Sequence, residues 1–376
     1  MSDYSVAMIE ARGGLDTLRP IWADLEEDNS SFFLSWGWLE TWLATLPEYI
    51  GIKAALVKNS GSPIAAFFLG SGRLTRAHCI PTNALSMNST VCPSCDCLCM
   101  EDNGILIRRG TVMECERILD QLSTDWDEII CSGIATESSS GHFIAHPMRK
   151  YRVVIEDERA AHYVDLSKVR TVQGDYLSLL GKSTRKNLKE SMKYLEARGA
   201  IHLATATDRD DAHRFFDKLV ELHQSEWERR GEDGSYSHPY MIKFHRQLID
   251  RRFEYGEVQL LQLSLAGEAI GYLYNFVYKN RVFFYSCGFK YDQTNNRYRP
   301  GLIAHKEAIE MNAAEGRDVY DFLGGGHRYA ANLSTDSRRM VWARIVKPRS
   351  SKFLVENTLR AVRRYYLYAG KKTITQ

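Results

Sequence analysis

An α/β protein of two related lobes, each a mixed, mostly antiparallel sheet flanked by helices, is what the sequence predicts. Three observations predict it. The chain has 376 residues, which at roughly 100–200 residues per domain suggests two globular units. Segments of helical period alternate with short strand-like runs. Both halves also show helices, then a meander of strands, then a helix and a strand, without a close internal sequence repeat.

Hydrophobic residues make up 44% and charged residues 26%, so a core can form and disorder is not expected. A formal net charge of +2 gives no large electrostatic footprint for duplex nucleic acid. The N-terminal MSDYSVAMIEARGG lacks the basic start and apolar stretch of a signal peptide. No run of about 18 apolar residues predicts a transmembrane helix. The eight cysteines do not spread as a disulfide framework, so the expected compartment is a reducing cytoplasm.

In the first half, residues 15–28 form an amphipathic helix, Asn29 to Ser31 supplies a capping stretch, and SWGWLETWLATL forms a second helix. Residues 53–59 and 64–70 read as a hairpin turning at Ser60, Gly61 and Ser62, and DEIICSGI from Asp127 reads as a strand. The polar ESSSGH and the following YRVVIEDERAAHYVDL read as a break and an extended connector, so the lobes are divided at 1–150 and 151–350. In the second half, Ser183 is expected to cap a helix that stops at Gly199. A strand IHLATAT, a helix over 208–230 and another in YMIKFHRQLIDRRF follow. Three strands then turn at Ala266-Gly267-Glu268 and Lys279-Asn280-Arg281. A helix GLIAHKEAIEMNAAEG and strands DVYDFLG and MVWARIV lead to a basic helix, set apart as 351–376.

Cys92, Cys95, Cys97 and Cys99 form the densest cluster of metal-ligand residue types. CxxC is a zinc-ligand spacing, but the alternation of the last three puts them on one face of a strand, and no second CxxC or His pair follows. Buried thiols are the better reading, and no metal is expected.

The stretch 262–329 carries the most specific pattern. Tyr285 and Gly288 lie on a strand, Tyr298-Arg299-Pro300-Gly301 opens a helix, and Asp321-Phe322-Leu323-Gly324-Gly325-Gly326 follows a strand before Tyr329. This order resembles the CelD-like acetyltransferases, a branch of the GNAT superfamily linked to cellulose and exopolysaccharide biosynthesis. Ser183-Thr184-Arg185-Lys186-Asn187-Leu188-Lys189 and the Trp-rich helix at 35–43 look like the same family's. The resemblance implies tandem GNAT-like lobes and a cytoplasmic acyltransferase. By the same resemblance the expected donor is a thioester, acetyl-CoA or another acyl-CoA or an acyl carrier protein. The expected acceptor is an amine or hydroxyl of a small molecule or saccharide.

The residues fit those roles as follows. Arg299, Pro300 and Gly301 stand at a helix N-terminus, where free amides and the dipole hold an anion, by resemblance a pyrophosphate of coenzyme A. The full glycine-rich phosphate loop of standard GNATs is absent. Arg185 and Lys186, with Lys182, Lys189 and Lys193, make a basic helix face that either meets phosphates or is simply solvated. Asp321 is either the general base or the cap of the glycine turn. His327 is a second candidate base. Tyr285 is a candidate acid or polariser, or a core aromatic. Glu226 and Trp227 share a helix face that could meet the acceptor, as could Tyr329, which Ala330 follows where the family shows Lys. Two rival functions remain: a Fem-type aminoacyl-tRNA-dependent transferase, and a non-catalytic binding module of the same fold.

Overall fold

The computed structural model describes residues 4–111, 113–122, 125–292, 294–325 and 328–373. The first half runs β1 (Tyr4–Glu10), α1 (Leu15–Glu26), α2 (Trp36–Thr45), β2 (Ile52–Asn59), β3 (Ser62–Arg76), β4 (Ile80–Met87), a short β5 (Leu106–Ile107), α3 (Cys115–Gln121), β6 (Glu128–Ala135), α4 (Ser139–Ala145) and β7 (Arg152–Asp165). The second runs α5 (Leu166–Thr171), α6 (Lys182–Glu196), β8 (Ile201–Thr205), α7 (Arg209–Arg229), α8 (Pro239–Arg252), β9 (Val258–Leu265), β10 (Glu268–Tyr278), β11 (Arg281–Phe289), α9 (Pro300–Ala314), β12 (Val319–Asp321), α10 (Arg328–Leu333), β13 (Asp336–Val346) and α11 (Ser351–Thr373). Apart from β5, the order of elements from β1 to β7 is repeated from β8 to β13, with α7 and α8 in the places of α1 and α2.

Among the described residues one sheet of 13 strands holds both halves, in the order β1-β2-β3-β4-β6-β13-β7-β12-β11-β10-β9-β8, with β5 against β3. The last strand of each half pairs with the other half. β13 lies against β6, and β7 lies against β12. β7 and β13 also pair with each other from Asp336↔Tyr163 to Val346↔Arg152. The sheet therefore runs unbroken across the expected boundary at residue 150.

The expected helices and hairpins form for the expected reasons. Ser60 (φ +49°) with Gly61 (φ +85°) and Ala266 (φ +52°) with Gly267 (φ +84°) are both-positive pairs, whose twist matches two antiparallel strands. Ser35 caps α2 by accepting the Trp38 amide, and Asp208 caps α7 through Asp211. Four expectations differ. The connector is the 14-residue strand β7, whose central residues 156–160 are exposed, so it lacks the apolar alternation that marks a strand. The polar ESSSGH stretch, expected as a break, runs into α4, which Ser138 caps. Helix α6 starts at Lys182 after Gly181, with no side-chain cap, so Ser183 lies inside it. Cys95, Cys97 and Cys99 stand on a 3-10 turn rather than a strand, with Cys95 alone of the three buried.

The core is shared between the halves. Phe32 stacks on Phe276 at a centroid distance of 4.6 Å, and Trp38 of α2 meets Phe244 of α8 edge-on at 4.6 Å. Aromatic pairs in these geometries add to the burial of their large surfaces. A second core lies beneath α5, α6 and α9, and a third lies beneath α3 and α4.

Candidate functional site

Among the described residues each half has one parallel strand pair, and both pairs part after three residues. β4 and β6 are paired only from Ala84↔Glu128 to Ser86↔Ile130, and β11 and β12 only from Arg281↔Val319 to Phe283↔Asp321. In the second half a bulge enforces the parting. Tyr274 faces Ser286 and Asn275 faces Phe284, so Tyr285 is the extra residue in β11. A bulge bends and twists its strand, and from Phe284 onward β11 has β10 on one side only among the described residues. Backbone groups on its open edge face a hollow, at the carboxyl end of parallel strands where open sheets place ligands.

That hollow encloses about 360 Å³ and is lined by Tyr285, Cys287 and Gly288 of β11, by Phe322, Leu323 and Gly325 after β12, and by His223, Glu226, Trp227 and Arg230 of α7 and its end. A second hollow, of about 500 Å³, lies at the start of α9 and is lined by Asn295, Tyr298, Arg299, Gly301 and His305. Cys287, Phe289, Tyr291 and Tyr329 line both, so the two adjoin. The tyrosine strand, the proline-led helix and the glycine turn thus converge.

In the first half, the parting of β4 and β6 receives the chain's own residues 88–103. Asn88 fastens this loop by accepting the Phe68 amide (2.8 Å) and donating to Asn103 (2.8 Å) and to the Gly104 carbonyl (2.7 Å). Cys95 and Leu98 are buried there. The loop's end, bent by Cys99 (φ +46°) and Asp102 (φ +53°), delivers Glu101 into the hollow of the second half. Gly133 allows the approach, since a Cβ there would stand 3.1 Å from the Glu101 Cα.

Glu101 Oε2 accepts the Gly324 amide at 2.5 Å, and Oε1 has no hydrogen-bond partner among the described residues. Burial pushes its pKa up to about 7, with Asp321 adding to the rise and the Gly324 amide, Arg159 and Arg338 opposing it. A carboxylate in an open hollow with a midpoint near neutrality suits general base work. Nothing local marks it: Glu101 sits in an irregular loop of the other half.

The expected site residues separate into two groups. Glu226, Trp227, Tyr285, Tyr329, Arg299 and Gly301 line the hollows. Asp321 does not: it is fully buried on β12, ion-paired with Arg281 (3.1 Å) and Arg338 (2.9 Å). Glu226 is held below the usual carboxylate range by Arg229, with Arg230 also bound. The Tyr285 hydroxyl donates to the Leu98 carbonyl at 2.6 Å, so its proton is already committed. Both nitrogens of His223 are engaged, one by the Trp227 indole at 3.0 Å and one by Gln224 at 3.2 Å. Pro300 is buried at the first position of α9. Behind it the Leu302 and Ile303 amides make long bonds of 3.2 and 3.4 Å to the Arg299 carbonyl, while the Arg299 guanidinium has no partner among the described residues. Arg185 donates to the Ser178 and Leu180 carbonyls and Lys186 pairs loosely with Glu190. Neither lines either of these two hollows. His327 and Gly326 lie outside the described residues. Among the described residues no three His, Cys, Asp or Glu are grouped to hold a metal ion, and no helix is long and apolar enough to cross a membrane.

Residues 182–331 match the family model described as an acetyltransferase (GNAT) domain. The crystal structure of FemX aligns at a TM-score of 0.55 and 11% identity, over 87% of this chain and 95% of that one. A conserved protein of unknown function from Bacteroides thetaiotaomicron aligns at 0.51 and 12%, over 92% and 100%. L-PGS from Bacillus licheniformis aligns at 0.50 and 10%, over 91% and 96%. At such identities the likeness establishes the fold alone, a large mixed sheet in two GNAT-like lobes. No curated protein matches the chain in sequence.

Proposed function

We propose that this protein is an acyltransferase that moves an acyl group from a thioester, an acyl-CoA or an acyl carrier protein, to an amine or hydroxyl of a small molecule or saccharide. One observation carries the reading: Glu101, poised near neutrality, faces the open edge of β11 inside a hollow that adjoins the start of α9.

In this reading the donor's phosphates lie at the α9 start, where Arg299, the Gly301 amide and the helix dipole favour negative charge. Its thioester lies along the open edge of β11, whose backbone amides stabilise the oxyanion of the tetrahedral intermediate. The acceptor enters between α7 and the Glu101 loop. Glu101 takes its proton as nitrogen or oxygen attacks the carbonyl carbon; the C–S bond then breaks, and the leaving thiolate takes up a proton. The protein supplies mainly position and proton removal. Asp321, enclosed by two arginines, supports the site without meeting the acceptor. A role in polysaccharide biosynthesis rests on the sequence resemblance alone.

Thermal shift with acetyl-CoA, a long-chain acyl-CoA and bulk tRNA tests the donor class. Stabilisation by a thioester supports the reading. Stabilisation by tRNA alone points to an aminoacyl-tRNA-dependent transferase, and stabilisation by none to a non-catalytic module.

A further inference from the structure

The buried Asp321 has a task the proposed chemistry leaves unassigned. Its Oδ1 accepts the Leu323 amide at 2.8 Å, closing a turn in which Leu323 takes φ +59°. A non-glycine residue in the left-handed region is held there only by its surroundings. The next amide, of Gly324, is thereby aimed at Glu101 Oε2. Through Oδ2, Asp321 ion-pairs with Arg338, which also reaches Asp102 at 3.3 Å, the neighbour of Glu101. We infer that Asp321 is the positioning residue of the Glu101 carboxylate: it fixes the Gly324 amide on one side and Arg338 on the other without touching substrate. The inference rests on the reading of Glu101 as the base.

The groups around Glu101 come from several elements, including His223, Glu226 and Arg230 of α7 and its end, which line the same hollow. Arg159 stands on β7, Arg338 on β13 and Asp321 on β12, with Cys99 on its own loop. Arg338 is also faced by Asp102 and Glu137. The two arginines favour the ionised carboxylate, and Asp321 opposes it. Removing the Asp321 charge therefore does two things in the same direction: it relieves repulsion and leaves Arg338 and Arg281 less neutralised. Both lower the Glu101 midpoint. Removing the Arg338 charge raises it. Two substitutions in one network are expected to move one titration in opposite directions, which general loosening of the fold does not produce.

The experiment is a carbon-13 titration of the full chain labelled at glutamate carboxyls, with the Glu101 signal identified by its loss in Glu101→Gln. Asp321→Asn keeps an oxygen for the Leu323 amide and is expected to move the Glu101 midpoint from near neutrality towards the ordinary carboxylate range. Arg338→Gln is expected to move it upward. The Gly324 amide shift should follow the same titration in the wild type and lose it in Asp321→Ala. A Glu101 midpoint unmoved by both charge substitutions, or moved the same way by both, overturns the inference. If Asp321→Asn does not fold, Arg338→Gln decides, since an unchanged or lowered midpoint is enough to sink it. Full acyl transfer by Glu101→Gln would defeat Glu101 as base and leave this titration result standing, so the two failures are distinguishable.

Discussion

Glu101 concentrates the chemistry in one carboxyl. In the proposed mechanism Glu101→Gln keeps the shape and removes the base, so turnover should fall by about 100-fold or more. Activity should rise with pH through the Glu101 midpoint of about 7, because only the ionised form accepts a proton. Stability runs the other way. The folded midpoint lies above the ordinary 4.5, so the native state holds the proton more tightly than the unfolded chain. Stability is lost as pH rises between those values. Glu101→Gln should therefore melt higher than the wild type at about pH 8 and equally only below about pH 4, a trade of stability for function. Tyr285→Phe loses one hydrogen bond to Leu98, worth about 1 kcal/mol, and should retain most activity. Tyr285 and Arg299 drew attention because a trailing glycine and a Pro-Gly pair beside them marked a strand and a helix start. Glu101 was not, because it belongs to a loop whose cysteines dominate its local pattern and whose partner is more than 200 residues away. Asp321 drew attention as a strand-end carboxylate before glycines, but two arginines enclose it, and sequence spacing does not show burial.

Among the elements, the parting of β11 from β12 matters most, and close packing of α7 against β11 maintains it. A Cβ at Gly288 would stand 2.4 Å from the Leu219 carbonyl oxygen, so Gly288→Ala must push helix backbone away from the strand. It should cost about 1–3 kcal/mol by overpacking, read as a lower melting temperature, with weaker acetyl-CoA binding because the hollow's wall moves. Helices and hairpins were readable because period and turn residues act over short range. β7 was not: its middle residues, Glu156 to Ala160, are exposed on the sheet, so its position in the sheet is set by backbone pairing that leaves no apolar signature. The cysteine stretch misled for the opposite reason. Its alternation mimics a strand, while Cys92 accepts the amides of both Cys95 and Asp96 and winds the segment into a turn.

For the whole molecule, the exchanged strands β7 and β13 make the two lobes interdependent. The first half without β13 would leave β6 with an open edge, a site for aggregation. Unfolding should therefore be a single calorimetric transition; two separate transitions would contradict the shared sheet and core. The buried Arg344 of β13 fastens this arrangement, with Glu128 of β6 at 2.8 Å, Glu156 of β7 at 2.6 Å and Glu356 of α11 at 2.7 Å. Arg344→Met leaves Glu128 to Arg76 and Glu156 and Glu356 to Arg360, and should cost about 3 kcal/mol, measured by denaturant unfolding. Two lobes were readable from the repeated order of elements, but the exchange was not, because pairing across lobes has no local signal. A structure of the protein with acetyl-CoA decides whether the hollow between the parted strands seats a thioester. The phosphates are expected at the start of α9, the thioester carbonyl against the open edge of β11 and the acetyl group facing Glu101. Acetyl-CoA that stays unbound at saturating concentration, or binds with its thioester away from Glu101, would contradict it.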